Sequence, residues 1–130
     1  MGSDEDIHAA TATAQLHGAI NGVALLHCVS AYPCPMEQAN LGRIKELRHR
    51  YGKEAYDPNE DLIGFSDHTL GNDAAIAAVA LGACIIEKHL TLSRADGGLD
   101  ASFSAEPDEF AALVKSVRNV WKALQPSSRN

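Results

Sequence analysis

Three short apolar runs, at residues 23–29, 62–66 and 84–90, alternate with helical patterns. That alternation constrains the fold more than any other feature of the chain. Strands interleaved with helices imply parallel strands joined by right-handed crossovers. Nearly continuous apolar strands fit a sheet covered by helices. The expected class is therefore α/β, either an open doubly wound sheet or part of a (β/α)8 barrel. No glycine-rich phosphate loop follows any strand, which counts against a nucleotide-binding sheet. In both architectures the active site lies at the C-terminal ends of the strands.

The intervening segments read as helices. Residues 4–18 are Ala-rich and weakly amphipathic, and Asn21-Gly22 signals a turn before the first strand. Pro33 and Pro35 exclude helix from the loop after it. Asn40 is the expected cap of a second helix carrying Leu41, Ile44, Leu47 and Tyr51, ended by Gly52. Residues 53–61 read as a polar loop. Asn72 or Asp73 caps an Ala-rich helix with Ile76, Val79 and Ala83, and Gly82 lies near its end. Residues 93–100 form a loop, and Pro107 suits the first turn of a last helix. Its buried stripe is Phe110, Leu113, Val117, Val120 or Trp121, and Leu124, and the tail from Gln125 should fray.

Length and charge narrow the class. With 130 residues there is room for one domain. A formal charge of −6 gives no general attraction to nucleic acid or anionic membranes, and no apolar run approaches the ~20 residues of a membrane helix. The first ten residues are acidic where a signal peptide is basic and then apolar. Cys28, Cys34 and Cys84 match no metal or redox spacing, so the chain reads as reduced and cytoplasmic.

Polar groups gather at the strand ends. Residues two apart on a strand share a face. Ser66 and His68 thus face one way if the strand stays extended, as do Glu87 and His89 on the next. Adjacent parallel strands lie about 4.8 Å apart, so two inward imidazoles there can bind one divalent metal. Glu87, one position deeper, would be ligand, orienter or acid. Imidazole with carboxylate and water suits manganese, iron or zinc. The competing reading is structural, because two-histidine ligation has no tight signature and a strand-end histidine is commonly just hydrogen-bonded. His27 falls on the opposite face and should pack under a helix. His8, His17 and His49 lie on helices and should be solvated. Cys28 and Cys84 read as apolar filler without a basic partner. Lys88 should face the helices and pair with a carboxylate rather than form a Schiff base. Asp67 should hydrogen-bond at the strand end. Asp100 is a turn residue or more, and Tyr32 a loop anchor or a substrate contact.

The segments LLHCVSAYPCP (25–35), GFSDHTLG (64–71), AAVALGACIIEKHLTLSR (77–94) and ASFSAEPDEF (101–110) together closely resemble the N-acetylneuraminate synthase family. The resemblance runs over essentially the whole chain, in order. The family condenses phosphoenolpyruvate with an N-acetylated hexosamine, such as N-acetylmannosamine, to a nine-carbon sialic, pseudaminic or legionaminic acid, releasing phosphate. The resemblance implies that His68 and His89 ligate a divalent metal, usually manganese, with the catalytic Glu87 beside it. It puts Ser66 at the phosphate, Tyr32 and Asp100 at the sugar, and Ser30 at another site-lining position.

It also implies what is absent. The three strands resemble the sixth, seventh and eighth of a TIM barrel, so residues 1–130 read as one C-terminal fragment of it. Strands one to five, with the lysines that hold the anionic substrates, are missing, as is the antifreeze-like domain. Locally, Gly98-Leu99-Asp100 replaces the commoner Gly-Pro-Asp, and residues 53–61 lengthen the usual connection. The leading expectation is a synthase-type enzyme, inactive as an isolated fragment. The alternatives are a non-catalytic half-barrel or interaction module, a subunit of a split synthase, or another metal-dependent aldolase. Three helix-backed strands leave two open edges, which predicts self-association or a complementary barrel half as partner.

Overall fold

The computed structural model describes residues 2–19, 22–52 and 62–126; the expected loop at 53–61 and the last four residues of the tail lie outside them. The elements run α1 (Asp4–Leu16), β1 (Ala24–Cys28), α2 (Gly42–Arg50), β2 (Leu62–Asp67), α3 (Asp73–Ala80), β3 (Ile85–Lys88) and α4 (Pro107–Leu124), with 3-10 turns at Met36–Gln38, Arg94–Asp96 and Ala101–Phe103. The strands form one parallel sheet in the order β1-β2-β3. The expected alternation of strand and helix is what the chain adopts.

The pairing register assigns the two faces. Leu25, His27, Ile63, Phe65 and Ile86 occupy one face, and the core packs there with Ile44 and Leu47 of α2, Ala74 and Ala78 of α3, and Ala83. On the other face, Cys28, Ser66 and Glu87 stand in one row across the three strands. Gly64 lies one row below. A Cβ there would stand 2.8 Å from the Ile85 carbonyl oxygen, so only glycine admits this approach of β3 to β2.

Several local expectations are corrected. Asn40 does not cap α2 with its side chain: Leu41 is the N-cap, while Asn40 takes a left-handed φ of 46° and its carbonyl accepts from Arg43 N–H. Asparagine tolerates that conformation because its side chain is short and polar. Helix α1 stops at Leu16 and buries no residue. It is tied to α2 by Asp4, which meets Arg43, Arg50 and the Tyr51 hydroxyl. On α4, Leu113 is buried, but Trp121 and Leu124, in the last turn of the helix, stand about half exposed. Gly82, with φ 99°, ends α3 in the left-handed conformation that favours glycine.

Candidate functional site

Strand β2 ends at Asp67 and β3 at Lys88, so His68 and His89 each sit one residue beyond a strand, at the C-terminal edge of the sheet. Alternation still aims both imidazoles to the same side, with ring centroids 5.3 Å apart. Tyr32, from the loop after β1, lies over His68 at 4.2 Å and edge-on to His89 at 5.7 Å. The fourth ring of the cluster is Phe103, 5.3 Å from His89 and 5.7 Å from Tyr32. Sequence reasoning missed it, because it sits on a 3-10 turn where no periodicity operates. The only signal was its place in the ASFSAEPDEF segment.

Hydrogen bonds fix the orientation of His68. Its Nδ1–H donates to the Val29 carbonyl at 2.8 Å. Ser66 Oγ donates to Glu87 Oε1 at 2.6 Å, committing its only proton there, and lies 3.4 Å from His68 Nε2. In this tautomer Nε2 turns its lone pair to the cluster, with Ser66 Oγ as its polar neighbour. His89 has no such bond: its Nδ1 lies 3.6 Å from Asp100 Oδ2, near the carboxylate but beyond hydrogen-bond reach. An outer carboxylate or carbonyl on one ring nitrogen is the usual support for a metal-binding imidazole. The donor set therefore fits a divalent cation held by His68 and His89. Glu87 is engaged with Ser66 instead, and among the described residues no group of three or more His, Cys, Asp or Glu is placed to hold a metal.

The loop bearing Asp100 and Phe103 is anchored on α4. Arg94 donates to both carboxylate oxygens of Glu109, at 2.5 and 2.9 Å, and to the Ser104 carbonyl at 3.0 Å. That guanidinium, with the Glu106 backbone N–H, holds the Glu109 carboxyl down to about 2. Pairing with Glu109 in turn raises the Arg94 guanidinium.

The remaining candidates fall as follows. Ser30 is exposed and lines a separate hollow of about 200 Å³ along the free edge of β1, with His27 and Arg43. It is not brought into the ring cluster. His27 is buried as expected, donating Nε2–H to the Ala39 carbonyl at 2.9 Å and lying against Phe65. His8, His17 and His49 are exposed. Lys88 does face the helices and donates to Asp67 at 2.8 Å. Two cysteine expectations are corrected. Cys84 is exposed, being beside the open edge of β3, and Cys28 does have an imidazole neighbour, its Sγ lying 3.8 Å from His68 Nδ1.

A parallel α/β sheet with paired imidazoles at its C-terminal edge defines an α/β chain with a candidate metal site where such sheets carry their active sites. The chain matches the NeuB family over residues 1–129 and belongs to it. It is 39% identical over 102 residues to the N,N'-diacetyllegionaminic acid synthase of Campylobacter jejuni, covering 78% of this chain and 28% of that protein. It is 45% identical over 100 residues to the N-acetylneuraminate-9-phosphate synthase of Mus musculus, covering 76% and 26%. A crystal structure of N-acetylneuraminic acid synthetase from Leptospira borgpetersenii serovar Hardjo-bovis, in complex with citrate, superposes with a TM-score of 0.83 at 37% identity. It matches 100% of this chain and 42% of that one. The chain thus spans less than half of these relatives. No described helix is long and apolar enough to cross a membrane.

Proposed function

We propose that this chain is the C-terminal part of a synthase barrel and carries the metal end of its active site. The reaction is condensation of phosphoenolpyruvate with an N-acyl amino sugar, such as N-acetylmannosamine, to a nonulosonic acid with release of phosphate. The single observation that carries the reading is the convergence of His89 with His68, whose Nδ1 is bonded to the Val29 carbonyl, in a chain of the NeuB family.

His68 and His89 would hold a divalent metal, manganese by family resemblance, which supplies Lewis-acid polarisation of the sugar carbonyl. Glu87 holds the Ser66 hydroxyl in place, which leaves the serine oxygen facing the cluster where phosphoenolpyruvate would bind. Tyr32 and Phe103 wall the cluster with aromatic surface against which the apolar face of a sugar can lie. Asp100, on the exposed side, is the acceptor for sugar hydroxyls. Ser30, which lines a separate hollow, has no part in this reading of the site.

Lys88 is committed to Asp67, so it is not free to hold an anionic substrate, and the positive charge for one is expected from a complementary barrel half. The isolated chain is therefore expected to be inactive. Manganese titration tests the site directly. The wild-type chain should bind the ion and a His89→Ala variant should not, and equal behaviour of the two would remove the metal site. Turnover of phosphoenolpyruvate and N-acetylmannosamine by a monomeric wild-type chain would overturn the claim that a second half is needed.

A further inference from the structure

Behind the two histidines, on the helix-facing side of the sheet, lies a buried ion pair between the residues that precede them. Asp67 and Lys88 are register partners on β2 and β3, with side chains 0% and 4% exposed. Lys88 Nζ donates to Asp67 Oδ2 at 2.8 Å and to the Thr69 carbonyl at 2.7 Å. Asp67 Oδ1 accepts from Thr69 N–H at 2.9 Å and from Thr69 Oγ1 at 2.8 Å. One lysine on β3 therefore grips both chain neighbours of His68, while its own next residue is His89. On the other side, Cys34 N–H donates to the His68 carbonyl at 2.7 Å.

A buried ion pair is a poor source of stability. Desolvating two charges offsets most of their attraction, and replacing both with apolar groups of similar volume is commonly neutral or stabilising. What the pair does supply here is geometry. Asp67 and Lys88 are the last pair of the β2–β3 ladder, so beyond them ladder hydrogen bonds no longer fix the relative position of the two strands. The Lys88–Asp67–Thr69 network takes over at the point where the imidazoles leave the backbone.

We infer that Lys88 and Asp67 are positioning residues that set the separation of His68 and His89, and through it the affinity of the site for a divalent cation. The inference rests on the metal reading for its consequence but not for its geometry. The test is the double variant Asp67→Leu/Lys88→Met, compared with wild type by urea unfolding, by nuclear Overhauser effects between the His68 and His89 rings, and by manganese titration. The expected result is a folded protein of unchanged or raised stability in which the inter-ring Overhauser effects are abolished. It should bind manganese about 10- to 100-fold more weakly, the usual cost of removing outer support. Should the double variant fail to fold, Asp67→Asn/Lys88→Gln, which removes both charges and leaves a side chain too short to reach Asp67 and Thr69 together, supplies the same comparison of inter-ring effects. Wild-type inter-ring effects in the folded variant overturn the inference, whether or not manganese binds. Absence of manganese binding by wild type, with the inter-ring effects abolished in the variant, overturns the metal reading and leaves the positioning role standing.

Discussion

Ser66 Oγ and Glu87 Oε1 are joined by a 2.6 Å hydrogen bond across the β2–β3 pair, directly below the two imidazoles. The serine is buried and the glutamate exposed, so the bond holds an exposed carboxylate in one orientation at the floor of the cluster. Ser66→Ala should leave manganese binding unchanged, because neither residue is placed as a ligand. In a complete synthase barrel it should lower kcat by about 10- to 100-fold, the scale on which the loss of a group that orients a site residue is felt. Wild-type turnover in that variant would remove Ser66 from the site.

Acid should weaken the chain through Glu109. Its folded-state carboxyl titrates at about 2, against an ordinary 4.5. A depressed carboxylate contributes stability that is fully present above the unfolded value and lost as pH falls through the folded one. Urea midpoints should therefore drop as pH falls from about 4.5 towards 2, and Glu109→Gln should flatten that part of the curve. An identical pH profile in the variant would mean that Glu109 contributes nothing there.

The three thiols should react in a fixed order. Cys84 is exposed, Cys28 half-buried and Cys34 buried, and burial followed by the Asp67 charge pushes the Cys34 thiol up. Thiolate is the reactive species, so Cys34 should be the slowest on both counts. Timed alkylation with peptide mapping should find Cys84 first and Cys34 last, and rapid labelling of Cys34 in the folded chain would contradict its burial.

The apolar flank of α4 should drive association. Trp121 and Leu124 are 51% and 55% exposed, and Ile86, Phe110, Val117 and Trp121 line a hollow of about 490 Å³ beside the open edge of β3. Exposed apolar surface of this kind next to an unpaired strand marks an interaction or aggregation site. Sedimentation velocity should show the wild-type chain as oligomers and Trp121→Gln/Leu124→Gln shifted towards monomer. A monodisperse wild-type monomer would contradict this.

Much of the site was legible because strand alternation is a local rule. Ser66 with His68, and Glu87 with His89, follow from a period of two, and the same rule sent His27 and Lys88 to the helix side. Phe103, the half-exposed Trp121 and the exposed Cys84 were not legible. The first lies on an irregular turn, and the exposure of the other two depends on what stands beyond the last strand. Asn40 misled for a related reason: an asparagine before a helix is equally suited to a capping role and to a left-handed backbone, and only the path of the preceding turn decides between them.

The sequence by itself determined the α/β alternation, the faces of the strands and the pair of histidines at their ends, because backbone periodicity and apolar patterning are local. The tertiary structure alone decided that the two imidazoles stand 5.3 Å apart, with Nδ1 of His68 bonded to the Val29 carbonyl. It also decided that Lys88 braces both neighbours of His68. Such distances depend on strand register and on loops crossing from other elements, and no spacing along one chain specifies them.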